Sequence, residues 1–145
     1  MKHRARLSIG TALLLTGSVA VAGEKIALVE HPVNETTIHT AKPGTDAVGD
    51  ILSFANPVFD AANKTQVASD QGFCVRTVVG KSWECMWTMM LKDGTITVEG
   101  AFQDTGDSIF AVTGGTGRYE GAKGHMKLHA RSGGPEAYDF TYELL

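Results

Sequence analysis

The stretch AVTGGTGRYEGAKG, residues 111–124, decides how this chain is read. Five of its fourteen residues are glycine. Glycine passes through positive φ without steric cost, so this density marks tight turning or close backbone packing. A phosphate cradle is the competing reading, and the spacing excludes it. Gly115 and Gly117 begin a G-x-G-x-x-G pattern, but the third position is Glu120. No Gly-Lys-Ser/Thr follows, and the next residues alternate like a strand instead of opening a helix. Two strands joined by a glycine-rich corner is the reading that fits.

Strand signals continue on both sides of the corner. Tyr138, Phe140, Tyr142 and Leu144 alternate with Asp139, Thr141 and Glu143, and Met126, Leu128 and Ala130 alternate with His125, Lys127, His129 and Arg131. Ile96, Val98 and Phe102 share a face with Gly100 between them, and residues 92–94 (Lys-Asp-Gly) form a hairpin turn before that strand. Gly80-Lys81 is a second turn candidate, between strands expected at 72–79 and 82–91. No stretch keeps a helical period for three turns. The pattern predicts an all-β antiparallel barrel or sandwich.

The hairpin at 72–91 carries an unusual mixture of side chains. With Gly80-Lys81 as its turn, Cys74, Arg76, Val78, Trp83, Cys85 and Trp87 fall on one face. Phe73, Val75, Thr77, Glu84, Met86 and Thr88 fall on the other. Large rings with a few polar groups suit a ligand pocket, and equally a plain core. In this register the cysteines are diagonal neighbours, at about 7–8 Å between Cα atoms and beyond disulfide reach. Moving the turn to Val79-Gly80 places them directly opposite, so pairing stays open. His125 and His129 lie four strand residues apart, roughly 13 Å, too far to chelate one ion. They read as part of a solvated face. Nothing calls for a metal or other cofactor.

The first 22 residues read as a secretory signal peptide. Lys2, Arg4 and Arg6 precede an apolar run centred on Leu13, Leu14 and Leu15, and Ala20-Val21-Ala22 is a cleavage pattern before Gly23. Export, to the periplasm or outside the cell, is the expectation. The remaining chain, 23–145, is long enough for one domain with its own core. Losing three of the 13 basic residues, against 16 acidic ones, takes the formal net charge from −3 to −6. That excludes nucleic acid and anionic membrane as natural partners once the signal is removed.

AVTGGTGRYEGAKG resembles the AVTGG-x-G-x-[FY]-EGA-x-G signature of plant allene oxide cyclases, and dirigent proteins have a related corner. The resemblance extends from residue 49 to 145. GDILSFAN (49–56) is similar to the family's GDLVPFSN, and residues 72–75 (GFCV) to its G-x-C-V. WECMW (83–87) stands where the family has FEATY, and ITVEGAF (96–102) where it has a VQGPY-type strand. The resemblance implies an eight-stranded antiparallel β-barrel with an apolar lumen, assembled as a homotrimer or homodimer. It also implies a lumen site, with Glu30, Asn56 and Cys74 as its polar, catalytic groups. Leu52, Phe54, Trp83, Trp87 and Phe102 would contact the ligand. Phe102 stands at the family's tyrosine position, so that hydroxyl is absent, and the family's E-x-N is Glu30-His31-Pro32 here. The resemblance therefore implies a cyclase or isomerase of a small, mainly apolar molecule, without the complete water-binding set of allene oxide cyclisation. A dirigent-like or carrier-like binding protein without turnover is the alternative. On the residues alone, Glu30 could be an exposed strand-end carboxylate, and Asn56, before Pro57, a turn residue.

Overall fold

Alternating apolar side chains become a closed wall in the computed structural model, which describes residues 23–134 and 136–145. The expected signal peptide lies outside the described residues. In chain order the strands are β1 (Lys25–Glu30), β2 (Glu35–Ile38), β3 (Ile51–Asp60), β4 (Gln66–Val78), β5 (Ser82–Leu91), β6 (Gly94–Gln103), β7 (Ser108–Gly115), β8 (Gly124–Ala130) and β9 (Tyr138–Leu144). Consecutive strands from β3 to β9 pair antiparallel; β9 pairs with β1, and β1 returns to β3. These eight strands close the barrel that the sequence predicts, which removes its open edges. The short β2 is a ninth segment. It shares with β1 the same edge of β3: β1 takes Val58, Phe59 and Asp60, and β2 takes Ile51 to Phe54.

The glycine-rich corner is a close backbone contact. It forms a three-residue 3-10 turn, Gly117–Tyr119, laid against the β5–β6 hairpin. The Arg118 N–H donates to Asp93 O at 2.9 Å, and the Thr116 N–H to Thr95 O at 2.9 Å. A Cβ on Gly117 would fall 2.4 Å from Asp93 O, and one on Gly94 would fall 2.1 Å from Thr116 O. Both glycines also have positive φ, +60° and +152°, so larger residues are excluded twice over.

The interior is graded along the β5–β6 pair. Nearest the hairpin, Met89 faces Ile96 and both are fully buried. Next come Trp87 with Val98, then Cys85 with Gly100, and last Trp83 with Phe102, both half-buried. Met126, Tyr142 and Phe110 fill the hairpin end at 0% exposure. The alternation read on β9 holds, with Phe140, Tyr142 and Leu144 buried, but Ala130 on β8 is exposed.

The register of the β4–β5 hairpin differs from the two-residue Gly80-Lys81 turn. Cys74 stands opposite Cys85, Arg76 opposite Trp83 and Gly72 opposite Trp87, with a bulge between Arg76 and Val78. The turn takes Val79, Gly80 and Lys81, closed by the Lys81 N–H on Val78 O at 3.1 Å. The face assignment survives for Cys74, Arg76, Cys85 and Trp87, all buried, whereas the bulge leaves Val78 45% exposed. Cys74 and Cys85 form a disulfide, with Cα atoms 4.0 Å apart.

Candidate functional site

The break between β1 and β2 is held by one side chain. Asn56, in the middle of β3, is 1% exposed. Its Oδ1 accepts the N–H groups of Val33 (3.0 Å) and Asn34 (2.9 Å), which have no strand partner where the chain leaves β1. Its Nδ2 donates to Glu30 Oε1 at 2.6 Å. Pro57 follows where the ladder is interrupted, a place that tolerates a residue without an N–H; its carbonyl accepts the His31 N–H at 3.1 Å. Asn56 is thus a strand residue and not a turn. Glu30 is the last residue of β1 and only 5% exposed, so it is not a surface carboxylate.

Beside this pair lies Asp70 on β4, 1% exposed. Its Oδ1 accepts the Asn56 N–H at 3.3 Å, so Asn56 touches both carboxyl groups. Its Oδ2 has no hydrogen-bond partner among the described residues, and neither have Trp87 Nε1 and Tyr142 OH. Each such buried, unpaired atom costs about 1–3 kcal/mol, which marks this region as one that stability alone does not explain. Burial, helped by the charge of Asp70, pushes the Glu30 carboxyl up to about 8; the Asn56 bond works against the rise, and Glu35 and Glu136 add to it. Burial likewise raises Asp70 to about 7, opposed by the Asn56 N–H. The Tyr142 phenol is pushed up, first by burial and then by Asp70.

Glu30 opens onto a cavity of about 90 Å³. Its floor is Trp87, packed against Phe110 (centroids 4.4 Å apart), Phe140 (5.8 Å) and Phe54 (5.9 Å). Leu52, Phe54, Phe102 and Tyr138 form walls, the Cys74–Cys85 bridge forms another, and Glu35 stands at the side. Burial, then Glu136, raises the Glu35 carboxyl. The Tyr138 hydroxyl donates to Glu136 Oε1 at 2.8 Å.

The structure therefore brings together Glu30, Asn56, Leu52, Phe54, Cys74, Trp87 and Phe102. Trp83 is not on the cavity wall: the Arg76 guanidinium lies 4.0 Å over its ring and also binds Asp46 and Asp104. Cys74 needs a further correction. Its sulfur is committed to the disulfide, so it offers a wall and no thiol. Sequence reasoning missed Glu35, Asp70, Tyr138 and Phe140. Asp70 was within reach, since the inward face read from Cys74 continues by twos through Gly72 to Asp70.

A family profile described as Allene oxide cyclase matches residues 30–132. The chain belongs to this family. Among solved structures it is similar to a pyocyanin demethylase (27% identity, TM-score 0.69, covering 82% of this chain and 99% of that one). A pterocarpan synthase dirigent protein (14%, TM-score 0.67, 84% and 92%) and an exo-specific intermolecular Diels-Alderase (14%, TM-score 0.65, 86% and 98%) share the fold. The allene oxide cyclase barrel thus occurs in proteins with different chemistries, so the residues at the cavity must carry the functional argument.

Proposed function

We propose that this allene oxide cyclase family member is an isomerase or cyclase that seats the reacting part of a small, mainly apolar molecule against Glu30. One observation carries the reading: a buried carboxyl, hydrogen-bonded to Asn56, at the wall of an aromatic-lined cavity. Burial and the neighbouring Asp70 raise this carboxyl well above the usual carboxylate range, which favours its protonated form at neutral pH. The oxygen that accepts from the Asn56 amide is the carbonyl one, so the acid proton belongs on Oε2. Glu30 then works as a general acid towards a substrate oxygen, and its conjugate base takes a proton back when the rearranged product forms. No net proton is consumed, as an isomerisation requires. The aromatic walls hold the reacting atoms in one conformation, which is catalysis by proximity and orientation.

A non-catalytic, dirigent-like or carrier-like role is the second reading. Asn56 favours it, because both ends of its amide are engaged in holding the barrel closed. Steady-state turnover of a panel of polyene, epoxide and enone compounds by wild type, Glu30→Gln and Glu30→Ala separates the two. Catalysis requires a loss of about 10²-fold or more in both variants. Unchanged conversion in Glu30→Gln removes the acid role; binding without conversion in all three proteins establishes the second reading.

The reading includes export, supported by the leader pattern and by the Cys74–Cys85 disulfide, which suits an oxidising compartment. It also includes self-association as a homotrimer or homodimer, which native mass spectrometry of the exported protein tests.

A further inference from the structure

We propose that Asp70 is the positioning residue behind Glu30: a buried carboxyl below the cavity that ionises first and so keeps the acid proton on its neighbour. The proposal rests on the acid role of Glu30 and adds the group that sets it. Asp70 lies on the inward face of β4, two places before Gly72 and four before Cys74, 1% exposed and off the cavity wall. It therefore acts on Glu30 and not on a ligand. Asn56 joins the two carboxyls: its N–H donates to Asp70 Oδ1 at 3.3 Å and its amide to Glu30 Oε1 at 2.6 Å. An asparagine or threonine would satisfy that N–H as well as an aspartate does. A carboxyl at this depth, with Oδ2 unpartnered among the described residues, needs a reason beyond the ladder.

The surroundings supply that reason. Glu30 comes from β1, Glu35 from β2 and Glu136 from the segment before β9. From β9 come the phenols of Tyr138 and Tyr142, and beside Asp70 on β5 stands Met89, which faces Ile96 on β6. The one buried cation among the described residues, Arg76, is committed to Asp46 and Asp104. It lies six strand residues from Asp70, roughly 20 Å. Two buried carboxyls with nothing positive beside them cannot both be charged without a large cost, so they titrate as a pair that keeps one proton. Burial raises both; the Asn56 N–H draws Asp70 back down, while at Glu30 the Asp70 charge outweighs the Asn56 amide. The proton stays on the member that faces the cavity.

Carbon-13 NMR of the intact protein, labelled at the Asp and Glu carboxyls, follows both titrations without any substrate. In the wild type the Asp70 signal is expected to move first and the Glu30 signal second, each curve showing the other's step. The Asn56 backbone N–H should report Asp70, and its side-chain amide Glu30. Asp70→Asn keeps an acceptor for the Asn56 N–H and removes the charge; the Glu30 transition is expected about one pH unit lower. Glu35→Gln, which removes a carboxylate that acts on Glu30 less strongly, is expected to move it less. An unmoved Glu30 transition in Asp70→Asn, an equal displacement by Glu35→Gln, or Glu30 ionising before Asp70 overturns the proposal. The wild-type order decides it if Asp70→Asn does not fold. Turnover separates the two inferences. Loss of conversion in Glu30→Gln with an unmoved Glu30 titration in Asp70→Asn sinks this proposal alone. Unchanged conversion by Glu30→Gln sinks the acid role and the proposal with it.

Discussion

Asn56 spans the seam of the barrel to reach Glu30, with 2.6 Å between its amide nitrogen and the carboxyl oxygen. The same amide closes the gap between β1 and β2 through Val33 and Asn34. Asn56→Ala strands two backbone donors and one buried carboxyl. Urea unfolding should show a loss of about 2–4 kcal/mol. The Asn56 bond also lowers the Glu30 pKa, so its removal should move the alkaline limb of any Glu30-dependent pH profile upward.

Stability should fall between pH 5 and pH 9. Burial raises the Glu30 and Asp70 carboxyls well above their ordinary values of 4.5 and 3.8. Their contribution is fully present below the unfolded values and is lost as pH rises through the folded ones. Urea midpoints measured across this range test it, and Glu30→Gln should flatten the curve. A midpoint that rises from pH 5 to pH 9 in the wild type contradicts the assignment.

At the acid end Asp50 acts with the opposite sign. It accepts from the Thr40 N–H and hydroxyl, His39 Nδ1 and the Ala47 N–H, which hold its carboxyl at about 2, the Thr40 N–H chief among them. Its contribution is present above the unfolded value and is lost as pH falls through about 2. Hydrogen-exchange protection in residues 39–50, taken relative to the intrinsic rate at each pH, should therefore fall on acidification, and Asp50→Asn should show the same loss of protection at neutral pH.

Removing the disulfide separates wall from chemistry. The Cys74→Ser/Cys85→Ser double variant should lose about 2–4 kcal/mol of stability. Cavity binding, measured below its unfolding transition, should persist, because the bridge supplies surface and no thiol. Complete loss of binding by a folded double variant would show that the bridge contributes more than shape.

Gly72 sets the position of the cavity floor. A Cβ there would fall 2.3 Å from Trp87 Cβ. Gly72→Ala must push Trp87 inward, at a cost of about 1–3 kcal/mol. Tryptophan emission and ligand affinity should change together.

The antiparallel strands were legible because each keeps one face apolar, and the glycine corner marked one of their connections; the choice of a barrel over a sandwich came from the family resemblance. The β4–β5 register was less so. A two-residue turn at Gly80-Lys81 leaves the same faces inward as the observed three-residue turn with its bulge, but the observed turn sets Cys74 across from Cys85, the pairing that the alternative Val79-Gly80 turn also gives. That register also places Trp83 under Arg76 and away from the cavity. Glu30 and Asn56 were found through the resemblance, since a single carboxylate before His-Pro carries no burial signal of its own. Glu35 stayed hidden for a different reason: β2 has only four residues, all largely exposed, and no periodicity to read.

The hairpin end of the barrel is packed solid by Met89, Ile96, Met126 and Tyr142. What remains is a cup and not a tube. A molecule that reaches Trp87 has to back out along the way it came in, away from that packed end. Arrival and departure compete for one doorway, so a bound molecule that leaves slowly keeps the next one out.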